Sequence, residues 1–577
     1  MHEPDEADTS PAAKQKVLGT FYTDDAVVQF LVSWALRRPH RSILDPSCGD
    51  GRFLLAAARL GAKSIVGCDV DPVAIDATRV RLANVSCPQR IIRSDFFALE
   101  PDAISEVDAV VGNPPFIRYQ LFCGESRRRA LESALRLGVR LTGLTSSWAP
   151  FVLHAVQCLR PGGDLAMVVP AEIVQTQYGR PTLRALSERF GSVTLLAFEQ
   201  NLFVEAQEET FLLLASDYGG SACGARLIPL HDRSELLHVV DEARDGNGTE
   251  GIFLGADPDV RFVEAFLSPQ ERRAWHRVKE FAAVRELSSF GTLTNGYVSG
   301  ANQFFHRTAA QAEQAGLPIS WLRPTARSSK SFGGLFFKMK DIEALEDSGY
   351  AHHLVVPQHD LFGADPQALE RFVDEGRKQR IRERFKCRAR DPWWKVPGLA
   401  RADVLLAYMA GRYPRAVVNS AEALYTNTIH GLRLRQGVLP ELMVLSFHSS
   451  LTLLSLEVDG RSYGGGILKL EPTEMLRVRL AWPEALTAEL QATLCEVDRL
   501  LRGGQYNNAV ELVDAVLLER HLGVPLATIG QLRSGRERLL ERRIRRVRGK
   551  NRGRKRSPNP DLLGCTDFGF ARIPRDL

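Results

Sequence analysis

The chain has 577 residues, 44% of them apolar and 25% charged, which is typical of globular proteins and favours two or three domains over one. No apolar run is long enough to span a bilayer and the polar start does not resemble a signal peptide, so we expect a cytoplasmic protein with no membrane partner. The nine cysteines and thirteen histidines show no ligand spacing, which argues against a metal site.

The charge is unevenly distributed along the chain. Residues 531–556 contain 13 Lys and Arg but only 2 Glu, a local charge of +11 in a chain whose net charge is +5. Two interpretations of this basic tail stay open: attraction to a polyanion, or a solvated extension that touches nothing specific.

Strands and helices alternate after a leader that we expect to be disordered. A helix is predicted from Ala26, with Thr23 and Asp24 as possible caps. Four strands follow in "SILDPSCGDGRF", "SIVGCDVDP", "RIIRSDFF" and "VDAVVGNPPF". A helix near 146–159, a turn at "RPGG" and strands in "DLAMVVP", "SVTLLAFE" and "ETFLLLAS" complete the series. This alternation predicts an α/β fold whose parallel sheet is covered on both faces.

The regular alternation stops near residue 245, where "RDGNGTEG" is a plausible linker. Beyond it, turns are frequent and aromatic residues stand beside basic ones, which indicates a mixed α/β domain. We therefore predict five parts of the chain: a leader at 1–17, a catalytic domain at 18–245, a second domain at 246–482, a helical segment at 483–526 and the basic tail at 527–577.

A glycine turn follows the first predicted strand. In an open α/β sheet the crevice at this position binds nucleotide-like ligands, because small residues let the ligand approach the backbone. A dinucleotide site would show GxGxxG, whereas here Asp45 precedes Gly49 and Gly51. A carboxylate repels a phosphate but attracts an ammonium group, so a cofactor that resembles an amino acid fits better.

The next two strands also end in acidic residues. Asp69 is placed to accept both hydroxyls of a ribose, Asp95 to accept an exocyclic amine, and Phe96 to contact an adenine face. An acidic residue that ends a strand is, taken alone, more often a helix cap. An amine, a ribose and an adenine in this order nevertheless describe S-adenosylmethionine.

The fourth strand ends in "NPPF", an unusual way to end an interior strand. Two prolines fix the backbone and remove its donors, so the carbonyl of Pro114 and the side-chain oxygen of Asn113 are available as acceptors. Two adjacent acceptors suit a planar amino group such as N6 of adenine, and Phe116 supplies a stacking face.

Together these motifs resemble the gamma-class adenine-N6 DNA methyltransferases of restriction–modification systems. The resemblance covers about residues 18–216 at motif level and is looser beyond. It implies a class I methyltransferase domain of Rossmann-like fold, followed by a mixed α/β target-recognition domain. It also implies that Thr23 contacts the methionine end of the cofactor, that Pro115 lies at the cofactor, and that Phe203, in "NLFVEAQEETFLLLA", stacks on a flipped base.

The implied reaction is direct methyl transfer to N6 of an adenine flipped out of double-stranded DNA. Hydrogen bonds from both N6 hydrogens to Asn113 and Pro114 would favour a pyramidal nitrogen. Stacking between Phe116 and Phe203 would offset the cost of flipping. Any restriction endonuclease would be a separate chain.

The second domain offers candidates for DNA contacts. They are Trp393, Trp394, Lys395, Arg412, Tyr413, Arg415, Lys338, Lys340 and the basic run from Arg377 to Arg390. The alternative interpretation is that these tryptophans belong to the core and these arginines to an ordinary surface.

Two other functions fit the catalytic motifs. One is an NPPF-type methyltransferase that acts on an RNA base or a protein glutamine, which would not need the roughly 300 residues after the catalytic domain. The other is a catalytically inactive DNA-binding specificity protein, against which intact Asn113, Asp45, Asp69 and Asp95 argue.

Overall fold

The computed structural model describes residues 23–104, 106–200, 209–221, 224–236, 251–254, 260–357, 365–463 and 466–551, with residues 547–551 as backbone only. These residues form two compact units, which divide at residues 266/267 and 544/545. The first unit comprises the described residues up to Phe266 and those at 545–551, and the second comprises Leu267–Ile544. The expected linker at 244–251 falls almost entirely outside the described residues.

A nine-stranded sheet forms the first unit, in the order β3-β2-β1-β4-β5-β7-β6-β8-β9. Its strands are β1 Ser42–Asp45, β2 Ser64–Asp69, β3 Gln89–Arg93, β4 Val107–Gly112, β5 Leu159–Pro170, β6 Phe190–Phe198, β7 Thr210–Tyr218, β8 Ala225–Leu230 and β9 Ile252–Leu254. Strands β1 to β5 are parallel, and β7 lies antiparallel between β5 and β6. This confirms the predicted α/β class and Rossmann-like arrangement, with β1 between β2 and β4 at the point where the strand order reverses.

Helices connect these strands. They are α1 Asp25–Ala35, α2 Arg52–Arg59, α3 Pro72–Arg81, α4 Pro101–Ile104, α5 Gly124–Arg136, α6 Trp148–Val156, α7 Glu172–Gln175 and α8 Gly179–Ser187. Asp24, rather than Thr23, caps α1 by accepting a hydrogen bond from the backbone N–H of Ala26. Asp71 caps α3 in the same way, with Pro72 in its first turn. These two acidic caps therefore have local structural roles.

The turn predicted at "RPGG" is instead part of β5. The register of β4 against β5 shifts, because Val107 pairs with Leu159 while Ala109 pairs with Asp164. The extra residues bulge out within one continuous strand. Pro and Gly therefore marked an irregularity of the strand and not its beginning.

The second unit contains several small sheets surrounded by helices. Its strands are β10 Val284–Glu286, β11 Gly291–Asn295, β12 His306–Arg307, β13 Leu322–Ala326, β14 His353–Val355, β15 Val404–Ala407, β16 Met409–Ala410, β17 Ala416–Val418, β18 Leu424–Tyr425, β19 Ile429–Leu434, β20 Arg461–Tyr463, β21 Ile467–Lys469 and β22 Arg479–Ala481. They form sheets of two to four strands, so this unit is mixed α/β as predicted.

The helices of the second unit include a long one at its end. They are α9 Pro269–Lys279, α10 Asn302–Phe305, α11 Ala309–Gln314, α12 Met339–Asp347, α13 Pro366–Lys378, α14 Phe385–Arg388, α15 Pro440–Phe447, α16 Ser450–Asp459, α17 Pro472–Met475, α18 Ala488–Arg502, α19 Tyr506–Val513, a π-helix at Asp514–His521, and α20 Leu526–Asn551. Among the described residues no single helix is long and apolar enough to cross a membrane, and only α15 and α16, bent by 74°, reach that length as a pair.

Helix α20 occupies the first part of the stretch predicted as a basic tail, and several of its arginines have partners within the protein. Arg533 pairs with Asp514 at 2.7 Å, and Arg538 pairs with Glu271 at 2.9 Å. Arg543 and Glu457 form an ion pair at 2.7 Å in which both side chains are buried. Residues 526–546 are therefore helical and not a solvated extension, and acidic side chains distant in sequence pair with at least three of their arginines. Residues 552–577 lie outside the described residues.

Candidate active site

A cleft of about 460 Å³ lies at the carboxyl ends of β1 to β4. Many of the predicted site residues line it. Those residues are Thr23, Gly49, Asp69, Asp95, Phe96, Asn113 and Pro115. Of the other predicted residues, Asp45, Gly51, Pro114 and Phe116 lie on the elements that form the cleft without being part of its wall, and Phe203 falls outside the described residues.

The loop between β1 and α2 requires glycine at two positions. Gly49 has a φ of +51° and its N–H donates a hydrogen bond to the Asp69 carboxylate at 2.9 Å. Gly51 has a φ of +79°, and a Cβ added there would lie 3.0 Å from two atoms of the Thr78 side chain. These two glycines therefore let the loop turn tightly and place a backbone donor on the carboxylate that ends β2.

Asp69 is oriented by two backbone donors. One carboxylate oxygen accepts from Gly49 and the other accepts from the N–H of Asp71, also at 2.9 Å. Burial raises the pKa of the Asp69 carboxyl, and these backbone hydrogen bonds oppose that rise. Each oxygen keeps a further lone pair, so the carboxylate can still accept hydroxyl donors from the cleft.

Asp45 is almost completely buried at the end of β1, with 1% of its surface exposed. One of its oxygens accepts from the N–H of Ser47 at 3.2 Å, and the other has no hydrogen-bond partner among the described residues. Burial is the main cause that raises the pKa of Asp45 to about 8, and the nearby carboxylates of Asp69 and Asp50 raise it further. A buried carboxylate with an unused oxygen, next to the cleft residues Pro46 and Ser47, suits a cationic group and fits the ammonium end of S-adenosylmethionine.

The loop after β3 differs from the prediction in one respect. Asp95 caps a short 3₁₀ helix, Phe96–Ala98, by accepting from the N–H of Phe97 at 3.1 Å. Phe96 is only 3% exposed, because its ring packs against Phe151 at 4.9 Å and against His154 at 4.6 Å between centroids. Phe96 contributes to the cleft wall but belongs mainly to the core, so it does not present an open ring face to a ligand.

An exposed apolar residue of the cleft was missed by the sequence interpretation. Val70 directly follows Asp69, lines the cleft and is 56% exposed. Phe122 and Phe151 also line the cleft but are buried. A signal for Val70 was available in the sequence, since it directly follows Asp69, the residue predicted to bind the ribose.

Asn113 and Thr23, predicted for separate reasons, contact each other. The Asn113 side-chain amide donates to the Thr23 hydroxyl at 3.2 Å, a contact between residues 90 positions apart. Because this bond fixes the amide plane, the segment that precedes α1 helps to orient the proposed catalytic side chain. The two predicted functions thus share one part of the site.

Two serines hold the backbone of the "NPPF" loop, and the sequence interpretation missed both. The Ser47 hydroxyl donates to the carbonyl of Asn113 at 3.2 Å, and the Ser147 hydroxyl donates to the carbonyl of Pro115. Ser147 also accepts from the N–H of Ile117 at 2.9 Å. No described residue donates to the carbonyl of Pro114. The loop is therefore held on both sides of the one carbonyl that was predicted to accept a hydrogen bond from the substrate.

Of the two rings predicted to stack on the flipped base, the structure describes Phe116 but not Phe203. Phe116 is partly buried and packs against the hydrophobic core of the first unit. The predicted partner ring, Phe203, lies in the stretch 201–208, which falls outside the described residues.

Several predicted DNA contacts of the second unit are structural instead. Trp393 is 6% exposed and packs in a hydrophobic cluster with Phe304 and Phe372. The Arg415 guanidinium lies 4.5 Å from the ring of Tyr506, which stacks on Tyr413 at 4.8 Å. For Trp393 the alternative interpretation, that it belongs to the core, is correct. Arg415 and Tyr413 instead pack against Tyr506, whereas the alternative placed the arginines on an ordinary surface.

Two family models match successive parts of the chain. The family model of the N-6 DNA methylases matches residues 9–216, and the model of the C-terminal domain of the type II methyltransferase M.Eco57I matches residues 259–518. The two models thus cover the region of the cleft and most of the second unit.

Two relatives match along most of their length. The type II methyltransferase M.XamI of Xanthomonas campestris pv. amaranthicola is 24% identical over 477 residues, which are 82% of this chain and 86% of the relative. The type II methyltransferase M.AccI of Acinetobacter calcoaceticus is 20% identical over 473 residues, with coverages of 80% and 85%. Among solved structures, the DrdV–DNA complex has a TM-score of 0.47 at 10% identity, covering 85% of this chain and 58% of that one.

Proposed function

We propose that this chain methylates N6 of an adenine flipped out of double-stranded DNA. The premise is that the chain belongs to the N-6 DNA methylases of restriction–modification systems, which the family model and the two relatives support. The chain is a DNA methyltransferase that uses S-adenosylmethionine. Adenine as the target base, the flipping step and the residue assignments below are our proposal. So is a separate restriction endonuclease that recognises the same site.

The arrangement of Asn113 and Pro114 carries the proposal. An aromatic amine is a poor nucleophile because its lone pair is delocalised into the ring. Two acceptors that hold both hydrogens of N6 favour a pyramidal nitrogen, whose lone pair is then free to attack. Ser47 and Ser147 hold the "NPPF" loop, and no described residue donates to the carbonyl of Pro114. Pro114 and Pro115 have no backbone N–H that would compete with N6 for the two acceptors.

The residues around the cleft fit the parts of the cofactor. We assign the ammonium group to Asp45, the ribose hydroxyls to Asp69, and the exocyclic amine of the cofactor to Asp95. We assign Val70 and Pro115 to the faces of its adenine. Bound S-adenosylmethionine supplies a methyl group on a positively charged sulfur. The chain itself orients the acceptor amine and lines the cleft with apolar residues such as Phe122, which exclude water.

Base flipping is part of the proposal because N6 within a stacked duplex is out of reach of the cleft. Extrusion costs a few kcal/mol. Stacking of a base on an aromatic ring contributes about 1–3 kcal/mol per contact, so Phe116, with Phe203 as the second ring, offsets much of this cost. The alternatives on RNA or protein do not account for a second unit of this size that matches a type II methyltransferase domain.

The variant Asn113→Ala tests the proposal. We expect its single-turnover rate of methyl transfer to DNA to fall by at least about 100-fold, as when one stabilising group of a reacting centre is lost. Its Kd for S-adenosylmethionine should stay within about threefold of the wild-type value, because Asp45 and Asp69 are unchanged.

A second amide serves as the control. The Gln157 side chain donates to the Ser133 hydroxyl at 2.8 Å, and neither its position after α6 nor its partner in α5 is part of the cleft wall. Gln157→Ala should therefore keep the wild-type rate. A full transfer rate in Asn113→Ala, or an equal loss in Gln157→Ala, would refute the role of the Asn113 side chain.

A further inference from the structure

The two most basic stretches of the chain differ in what their charges contact. In α20 the cations of Arg533, Arg538 and Arg543 each pair with a carboxylate of the protein. The other stretch, residues 377–395, contains nine Lys and Arg but only Glu383 and Asp391 as acidic residues. Acidic side chains within this second stretch are therefore too few to neutralise it.

We use the name basic ridge for residues 379–388, which follow α13 and include α14. Its backbone is anchored to the unit by two side chains, since Ile381 and Cys387 are completely buried. Arg390, just beyond it, donates to the carbonyls of Ser299 at 2.8 Å and Val298 at 2.6 Å. The cations of the ridge therefore stand on a well-anchored segment.

Four cations of the ridge have no acidic partner among the described residues. Arg382, Arg384, Lys386 and Arg388 are all exposed. The ridge residue Arg380 differs, since it pairs with Glu383 at 2.7 Å. Like charges fixed within seven residues of chain repel each other, so an external polyanion lowers the free energy of this surface.

An aromatic ring stands among these cations. Phe385 is 69% exposed, although the ammonium of Lys386 lies 5.3 Å from the ring and the guanidinium of Arg388 lies 5.4 Å from it. A large apolar side chain left this exposed on a folded unit contributes little to packing. Cations beside an exposed aromatic ring suit nucleic acid, which offers phosphates next to sugars and bases.

We propose that the basic ridge contacts the backbone of double-stranded DNA, with Arg382, Arg384, Lys386 and Arg388 on phosphates and Phe385 against the sugars or bases between them. The choice of DNA as the polyanion rests on the proposed function. The ridge gives affinity that does not depend on sequence, and it positions the duplex without reading it. Helix α20, although rich in arginine, does not contribute to binding through its paired cations.

Salt dependence of DNA binding by the full-length chain tests this inference. The probe is a fluorescein-labelled duplex of arbitrary sequence, about three helical turns long, and the anisotropy titration is repeated between about 50 and 200 mM NaCl. Each phosphate contact contributes about 0.9 to the slope of log K against log salt, so the variant R382Q/R384Q/K386Q/R388Q should have a slope shallower by about 3.6. Over this range the wild-type chain then loses about 150-fold more affinity than the variant.

A charge-matched control separates direct contact from net charge. The variant R184Q/R401Q/R499Q/R520Q also removes four exposed cations, but each of these is already paired with a glutamate. Its slope should stay close to that of the wild type. The substitution Phe385→Ala should weaken binding by about 5- to 150-fold without changing the slope, which corresponds to the loss of one stacking contact.

Several results would overturn the inference. An unchanged slope in the ridge variant, an equal change in the control, or tighter binding of an RNA hairpin than of the duplex would each do so. Failure of the proposed function is recognised separately, because it appears as absence of N6 methylation by the wild-type chain. Binding to an arbitrary duplex needs neither methyl transfer nor the recognition sequence.

Discussion

From the assignment of the ammonium group to Asp45 we expect cofactor binding to depend on pH, and the size of the effect follows from the surroundings of Asp45. Burial and the neighbouring carboxylates of Asp69 and Asp50 raise the pKa of Asp45 to about 8. An ammonium group pairs only with the ionised carboxylate. The proton must therefore leave before or during binding, and the affinity for S-adenosylmethionine must rise with pH up to this pKa.

The magnitude can be calculated from two titrations. With a carboxyl pKa of about 8, roughly 1% of Asp45 is ionised at pH 6 and about half at pH 8. The α-amino group of the cofactor, with a pKa of about 7.8, loses its charge over the upper part of this range. The product of the two charged fractions rises about eightfold from pH 6 to pH 7 and about 20-fold from pH 6 to pH 8, and it falls above pH 8.

Calorimetric titration with S-adenosylmethionine at pH 6, 7, 8 and 9 measures this profile. The variant Asp45→Asn should bind more weakly at pH 8 and show less than about a threefold change between pH 6 and 8. The control Asp69→Asn should keep the steep rise, because Asp45 still titrates. A wild-type Kd that is constant from pH 6 to 8, or a steep rise that survives in Asp45→Asn, would refute the assignment of the ammonium group to Asp45.

Three further predictions concern the loops and the charged helix. Ser147→Ala, which removes a hydroxyl that holds the "NPPF" loop, should lower kcat about 10- to 100-fold without changing the Kd of the cofactor. The control Ser187→Ala should keep the wild-type kcat, because the Ser187 hydroxyl donates to a carbonyl of its own helix. Equal kcat values in the two variants would refute the positioning role of Ser147. Gly51→Ala should lower the free energy of unfolding by about 2–4 kcal/mol, because Gly51 has a positive φ and the added Cβ would contact Thr78. The control Gly61→Ala should cost about 1–2 kcal/mol, because Gly61 has a similar φ but no atom lies within 4 Å of the added Cβ. Similar shifts of the melting temperature in the two variants would contradict this. Arg543→Met should destabilise the second unit by about 3–5 kcal/mol in denaturant unfolding, because Glu457 is left buried and unpaired. The double variant Arg543→Met/Glu457→Leu should recover most of that loss. A destabilisation under about 1 kcal/mol in the single variant would show that the ion pair is dispensable.

The sequence predicted the first unit well because its signals are local. Alternating apolar runs define the strands, and an acidic residue stands at or just after the end of each of the first three. The carboxyl ends of parallel strands meet at one edge, so Asp45, Asp69, Asp95 and Asn113 were expected from the sequence alone to approach one another. The position of β7 between β5 and β6 depends on pairing between distant strands and was not predictable from these patterns.

The details that the sequence did not predict depend on contacts between distant residues. Ser147 lies 32 positions from the carbonyl that it holds, and Arg543 lies 86 positions from Glu457. Nothing in the local spacing indicates either contact. Phe96 was misjudged for the same reason, since the two rings that enclose it come from α6. The basic stretch in α20 was likewise expected to be exposed, because the sequence does not show which distant carboxylates pair with its arginines.

Transfer of a methyl group to N6 of adenine in DNA is the activity that we propose for this chain. The most direct test is to incubate it with S-adenosylmethionine carrying a tritiated methyl group and with unmethylated genomic DNA, and to identify the labelled nucleoside after complete digestion. We predict that the label appears in N6-methyldeoxyadenosine and that it is lost in Asn113→Ala. Label in a methylated cytosine, or only in RNA or protein added to the same reaction, would refute adenine N6 of DNA as the target.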